Sequence, residues 1–272
     1  MNNFLISKER KKYLKNKRKN KILVLITQIS ILIIFLAVWE MLANKKIIDS
    51  FITSQPSRIL ETFMNLGSND LLKHIGVTTY ETIVGFLLGT VLGIIIAIIL
   101  WWSDFLAKVL DPYLVVLNSL PKVALGPVII IWVGAGTPAI IVMAVAISLV
   151  VTILENLNGF LRTDKELIKM ARTFKASKLQ ILLKIILPAN ISTFINSLKV
   201  NIGLSLVGVI SGEFLVSKAG LGYLIVYGGQ VFKLDLVMTS VLILGLLAGV
   251  MYLAVLLLEK FILKTKKVQI KK

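Results

Sequence analysis

Residues Ile83–Trp102, IVGFLLGTVLGIIIAIILWW, contain no charged side chain in 20 positions. A helix of about 20 apolar residues spans the roughly 30 Å hydrocarbon core of a bilayer. The same holds further along, where Leu236–Leu258 has no charge in 23 residues, and at Ile22–Leu42, whose single acid is Glu40. The chain of 272 residues is 57% hydrophobic with a mean hydropathy of +0.88. A soluble domain is less apolar and breaks its apolar runs sooner. The expected fold is therefore all-α and polytopic, with transmembrane helices.

Charge sets the orientation. The formal net charge is +17, and the 31 Lys and Arg are unevenly placed. Nine precede Ile22, seven lie in Glu155–Leu187 and six follow Glu259, whereas Ala43–Thr82 has four and Ser211–Asp235 two. Lys and Arg mark cytoplasmic loops, so both termini and Lys175 are expected inside, with Asn69 and Lys218 outside. That orientation accounts for the charge without nucleic acid. The chain has no cysteine, which excludes disulfide frameworks and thiol chemistry. The first apolar run is too long for a cleaved leader and reads as a retained signal anchor.

Six spans satisfy the charge pattern: Ile22–Leu42, Tyr80–Trp102, Pro112–Val133, Pro138–Leu154, Ala189–Val209 and Leu236–Leu258. The third is interrupted by Pro121 and Pro127 and carries Asn118, Ser119 and Lys122. Only GAGT separates it from the fourth. Between the first two spans, TSQPSRILETFMNL predicts a short amphipathic helix. Between the last two, SGEFLVSKAGLGYLIVYGGQVFKLD is too polar and glycine-rich for a simple span, and is expected to dip back toward the membrane, with Gly220 and Gly222 in its turn. Irregular backbone at that depth is tolerated where protein buries it. The organisation is a basic tail at 1–21, a transmembrane domain at 22–258 with a cytoplasmic loop at about 155–188, and a basic tail at 259–272.

Polar residues inside apolar helices are the candidates for a translocation path: Asn118, Ser119, Asn196, Lys199, Asn201, Ser205 and Glu213. Asn201 and Ser205 are expected to face a dimer axis. Ordinary hydrogen bonding between helices explains the fifth-span group equally well. Glu213 either pairs with a basic residue or caps a helix end. His74 reads as a solvated loop residue.

The central loop has two capping signatures. TDKE offers Thr163 as N-cap with Glu166 three residues on, and SKLQ offers Ser177 with Gln180. Leu167, Met170, Ala171 and Phe174 form an apolar stripe at helical spacing, opposite Lys165, Lys169, Arg172 and Thr173. Leu179, Leu182, Leu183 and Ile186 repeat the pattern before Pro188. Two short amphipathic helices are expected, meeting at Lys175-Ala176-Ser177. They suit an anionic lipid surface or a groove on a soluble partner.

KMARTFKASKLQILLKIILP, residues 169–188, resembles the cytoplasmic loop of importer-type ABC transporter permeases. That pattern is Glu-Ala-Ala, three residues, Gly, about nine residues, an apolar residue and Leu-Pro. Ala171, Arg172, Thr173, Ala176, Ser177, Leu187 and Pro188 fit it. Lys169 stands at the usual Glu and Lys175 at the usual Gly. TSQPSRILETF, LNSLPKVALGPVIIIWVGAG and GVISGEFLVSKAGLGYLI resemble segments of the nitrate, sulfonate and taurine branch, which also serves thiamine and riboflavin precursors. The basic N-terminal tail is unmatched.

The resemblance implies a type I importer fold and a permease homodimer in the cell membrane. Two ABC ATPase subunits would grip Glu166, Leu167, Met170, Ala171, Arg172, Phe174, Lys175, Ala176 and Ser177, and an external substrate-binding protein would deliver cargo. No G-x-x-x-x-G-K-[ST] occurs in the chain, so ATP and Mg would belong to the partner. No cofactor is expected here, and no enzyme activity: the acids and the lone His74 are scattered. An ion-driven secondary transporter is the nearer alternative, but the inverted repeats typical of such proteins are not found.

Overall fold

The computed structural model describes residues 8–67 and 70–269, so Asn69 lies outside the described residues. Every regular element among them is helical. The chain divides into two units, Met1–Met64 and Asn65–Lys272.

In the first unit, α1 (Lys8–Asn44) runs unbroken from the basic stretch into the apolar one, so residue 21/22 is no backbone boundary. Lys, Arg and Leu are all good helix formers. Its apolar side chains stay exposed, among them Leu25 and Ile33, as a lipid-facing helix requires. After a short α2 (Ser50–Thr53), the expected amphipathic helix appears as α3 (Pro56–Gly67). Glu40 accounts for the one acid of the first span. Its carboxylate accepts from Ser57 N at 3.1 Å and Ser57 Oγ at 2.9 Å, satisfying an orphan donor at the start of α3.

The second unit contains α4 (Leu71–Trp102), α5 (Asp104–Ser119), a 3₁₀ turn (Lys122–Leu125), α6 (Gly126–Val133) and α7 (Thr137–Leu161). Then come α8 (Lys165–Thr173), α9 (Lys178–Ile181), a π-helical turn (Leu182–Ile186) and α10 (Leu187–Ala189), followed by α11 (Ile191–Val216), α12 (Leu221–Gln230) and α13 (Leu234–Gln269). Helix α7 lies between α4 and α11. On α4, Gly85, Gly89 and Gly93 recur every fourth residue and face Ala144, Ser148 and Thr152 of α7. A Cβ at Gly85 would stand 2.6 Å from the Ala144 Cβ, and one at Gly93 equally close to the Thr152 Cβ. From the other side, a Cβ at Gly208 of α11 would stand 2.5 Å from the Ala144 Cα. Small residues bring helix backbones together in membranes, where burial of apolar surface gives no advantage over lipid.

By length and composition five helices can cross a membrane: Lys12–Asn44, Leu71–Trp102, Thr137–Leu161, Ile191–Val216 and Leu234–Ile262. A sixth crossing results if Asp104–Ser119 and Lys122–Val133, bent by 89°, count as one. The bend falls at Leu120-Pro121, where Leu120 has the extended backbone a following proline imposes. Several expected bounds shift outward. Helix α4 begins nine residues before Tyr80, because Leu71 packs against Leu221 and Leu224. Helix α7 passes Leu154 to Leu161, burying Leu157 and Phe160 with Ile181, Leu182 and Ile186. Helix α11 passes Val209 to Val216, so Glu213 belongs to it and not to a loop. The stretch expected to dip back toward the membrane forms α12, a regular helix too short at 10 residues to span a bilayer.

Candidate functional site

Two places concentrate polar structure, at opposite ends of the α4–α7–α11 body. The first is the α8 loop. Asp164, not Thr163, is the N-cap of α8, its carboxylate accepting from Glu166 N at 2.8 Å. The Thr163 hydroxyl is occupied elsewhere: it accepts from Asn190 Nδ2 at 2.8 Å and donates to Gly159 O at 3.3 Å. The second expected box is present in full, with Ser177 Oγ accepting from Gln180 N and Gln180 Oε1 from Ser177 N. Between the helices Lys175 takes φ +56°. Ala176 N donates to Ala171 O at 3.0 Å and Lys175 N to Arg172 O at 2.9 Å, the paired bonds of a Schellman motif with Lys175 at its left-handed position.

The expected apolar stripe of α8 divides. Ala171 is buried against the body, with Ile168 and Ala176 beside it. Leu167, Met170 and Phe174 are exposed, Phe174 at 79%. The loop is nonetheless firmly held. Lys178 Nζ donates to Trp102 O at 2.6 Å, at the carbonyl end of α4, and sits 5.8 Å from the ring centroids of Trp101 and Trp102. Beside the loop opens a pocket of about 620 Å³ whose polar lining includes Glu155, Asn158, Arg162, Asn190, Thr193 and Asn196.

The second place surrounds the start of α12. Glu213 Oε1 accepts from Thr78 Oγ1 at 2.6 Å, and Glu213 Oε2 from Gly222 N at 2.5 Å. Thr78 Oγ1 in turn accepts from Leu221 N at 2.8 Å. Glu213 thus caps α12, where a negative charge meets free N–H groups and the positive end of the helix dipole. Gly220 and Gly222 are required by this closeness: a Cβ on Gly222 would lie 2.8 Å from the Glu213 Cβ, and Gly220 has φ +118°. His74 is no solvated loop residue. It lies in α4, where Nδ1 accepts from Gly220 N at 2.9 Å and the ring stacks on Tyr223.

This long-helix body with a short capped helix before the last span fits one kind of transporter subunit. The family model of the binding-protein-dependent transport system inner membrane component matches residues 89–267. The chain belongs to this family. It is 30% identical to a probable ABC transporter permease protein of Haemophilus influenzae over 230 residues, 84% of this chain and 94% of that one. It is 27% identical to a putative aliphatic sulfonates transport permease protein of Bacillus subtilis over 232 residues, 85% and 84% of the two chains. The fold matches a chain of the inward-facing MetNI methionine ABC transporter with a TM-score of 0.62 at 20% identity, covering 72% of this chain and 95% of that chain. The chain is thus a multi-pass ABC permease of all-helical, type I importer-like fold.

The permease scatters the remaining candidates. Asn118 and Ser119 are exposed on α5, and Lys122 Nζ donates to Asn118 O at 3.1 Å. Asn196 is exposed and lines the pocket. Lys199 is paired within the chain, 2.8 Å from Glu259 Oε2 of α13. Asn201 and Ser205 are buried between helices of one copy, with Asn201 Nδ2 donating to Thr90 Oγ1 at 2.6 Å. Both are enclosed within one copy rather than turned to an outer face, and Asn201 makes the helix-to-helix hydrogen bond, whereas the buried Ser205 hydroxyl has no partner among the described residues. The sequence reading missed Thr78, Glu81 and the glycine stripe. The signal was available: Glu81, Gly85, Gly89 and Gly93 recur at intervals of four, one face of α4. Among the described residues no group of three or more His, Cys, Asp or Glu could hold a metal.

Proposed function

We propose that this permease is the membrane subunit of an ATP-driven importer, two copies forming the path and each presenting α8 to a cytoplasmic ATPase subunit. The carrying observation is Phe174, 79% exposed on a loop that a Schellman motif, a capping box and Lys178 hold in one shape. An exposed aromatic on a rigid frame is suited to insertion in a partner's groove, because little conformational entropy is lost on docking. ATP binding would close the ATPase pair and draw the two loops together. The cluster of Ala171 with Leu157, Phe160 and Ile186 carries that push into α7 and the π-helical turn that leads to α11. An external binding protein delivers the cargo, both termini are cytoplasmic, and ATP and Mg are held by the ATPase. Asn196 and the amide-rich pocket beside α8 lie on the route by which cargo leaves. Similarity to a relative named for aliphatic sulfonates supports a small organic anion or vitamin precursor as cargo.

The chain has no cysteine, so Phe174→Cys supplies a unique attachment point for a photoactivatable crosslinker. In native membranes the expected product joins the permease to a P-loop ATPase and changes with added ATP. A product with lipid alone overturns the docking. Labelling of Lys175→Cys in intact cells by an impermeant thiol reagent overturns the orientation.

A further inference from the structure

At the end of the body remote from α8, two carboxyl side chains meet. Glu81 of α4 and Glu213 of α11 are each 1% exposed and lie against one another. Their hydrogen bonding is unequal. Glu213 accepts from the Thr78 hydroxyl and from Gly222 N. Glu81 has the Thr137 hydroxyl beside it, yet neither of its oxygens has a partner of hydrogen-bonding geometry. A buried carboxylate without donors is among the costliest groups in a protein.

Among the described residues no Lys, Arg or His is hydrogen-bonded or ion-paired to either acid. On the linker into α12, Lys218 is exposed and lines an open cavity of about 440 Å³ with Val77, Thr137 and Ser217. On α4, His74 has Nδ1 engaged by Gly220 N. On α12 the ionisable groups are Tyr223 and Tyr227, stacked on one another. On α7 the one ionisable group is Glu155, 18 residues from Thr137 and so about 27 Å away along the helix. Nor can Glu81 turn to solvent, since it shares the α4 face of Gly85, Gly89 and Gly93 that is closed by α7.

We propose that Glu81 and Glu213 together form a binding site for one proton, with Glu81 as the neutral acid donating its O–H to the Glu213 carboxylate. This assignment removes one of two adjacent buried charges and gives the Glu81 O–H an acceptor. Glu213 keeps the charge because its donors and the start of α12 favour it. Glu81 becomes a donor and no longer buries a charge. The proton then ties α4 to the joint between α11 and α12. Thr137 both lines the 440 Å³ cavity and adjoins Glu81, so widening that cavity brings water to the pair. Glu81 then gives its proton to water, the two carboxylates repel, and the widened arrangement is favoured. Closure takes one proton back from water. The site thus links proton release to opening at this end.

Infrared difference spectroscopy on the purified permease in lipid nanodiscs tests the site without transport or ATPase. The wild type is expected to show a protonated-carboxyl C=O band that shifts in D₂O and fades as the pH is raised. Glu81→Gln, whose amide donates the same bond permanently, should remove that band. It should also make thermal stability less dependent on pH over the range in which the wild-type band fades. If Glu81→Gln does not fold, Glu81→Asp should shift the band. Absence of the band in the wild type overturns the proposal. So does a band indifferent to substitution at Glu81, or one that appears only after Na⁺ and K⁺ are dialysed away, which would mean a metal cation held by the acids.

Discussion

The two ends of the permease body use polar residues in opposite ways. At the α8 end the caps and the turn are exposed and satisfied close in sequence, Asp164 by Glu166, Ser177 by Gln180 and Lys175 by Arg172, while Thr163 and Lys178 tie the loop to Asn190 and Trp102. At the α12 end Thr78 is buried and His74 half-buried, and each is satisfied from afar: Thr78 by Glu213 and His74 by Gly220. A loop built on local bonds keeps its shape while a partner docks and leaves. A cluster built on distant bonds has no shape unless the helices around it are assembled. The first end is thus suited to receiving force, and the second reports whether the helices are together.

If this contrast is right, both ends depend on the packing between them, and breaking that packing has the largest effect. A Cβ at Gly208 would meet backbone, the Ala144 Cα at 2.5 Å, and backbone cannot rotate aside. Gly208→Val should cost about 3 kcal/mol, near the upper range for overpacked cores. It is expected to show as loss of monodisperse protein in detergent and a lower unfolding midpoint. Wild-type behaviour would mean that α7 and α11 separate easily, and that the body transmits nothing.

Thr78→Val is the sharper probe of the buried end. The side chain keeps its shape, but a carboxylate oxygen of Glu213 and the Leu221 N–H lose their shared partner. Leaving buried polar groups unsatisfied costs between about 2 and 3 kcal/mol. Thermal unfolding should show this loss, and amide exchange should quicken first in α12. Unchanged exchange there would mean that Glu213 does not hold the helix start.

Phe174→Ala should behave in the reverse manner. The side chain is exposed, so stability should stay within about 0.5 kcal/mol of wild type. Its loss should appear only in binding. An aromatic anchor carries about 2 kcal/mol, roughly thirtyfold in affinity for the ATPase subunits, measured by titration in detergent. A fall in stability without a fall in affinity would make Phe174 a structural residue and remove the contrast.

The same division explains what the sequence disclosed. The SKLQ box, the split between the two loop helices and Phe174 as a prominent side chain depend on neighbours a few residues apart, so spacing alone exposes them. Thr163 does not cap α8 because its hydroxyl partner, Asn190, is 27 positions away. The stripe of α8 divides because Ala171 is claimed by the body, which no periodicity of α8 itself encodes. Asn201 and Lys199 have the composition of a path, yet they are engaged by three-dimensional partners on α4 and α13. The long apolar runs located every crossing helix. The helices run beyond those apolar runs through polar or charged residues such as Thr78, Glu155 and Glu213, because neighbouring helices cover these in whole or in part.

The smallest expected effect lies in the loop itself. Lys175 occupies the left-handed position of the Schellman motif at φ +56°, where a Cβ costs an L-residue between about 1 and 2 kcal/mol. Glycine removes that cost, although it adds freedom to the unfolded chain. The net gain from Lys175→Gly should be about 1 kcal/mol, and it should be local, since the surrounding bonds from Lys175 N and Ala176 N are unchanged. Global unfolding is a poor readout, because the loop opens before the body does. Amide exchange at Lys175 and Ala176, whose N–H groups make the two motif bonds, is the suitable one, and it should slow about fivefold. Slower exchange with unaltered ATPase affinity would mean that the lysine charge is not needed for docking. Slower exchange with weaker affinity would assign the Lys175 ammonium a contact on the partner, making the lysine a docking residue in its own right. Faster exchange would contradict the strain argument, because it would mean that the lysine side chain holds the turn by a contact worth more than its backbone cost.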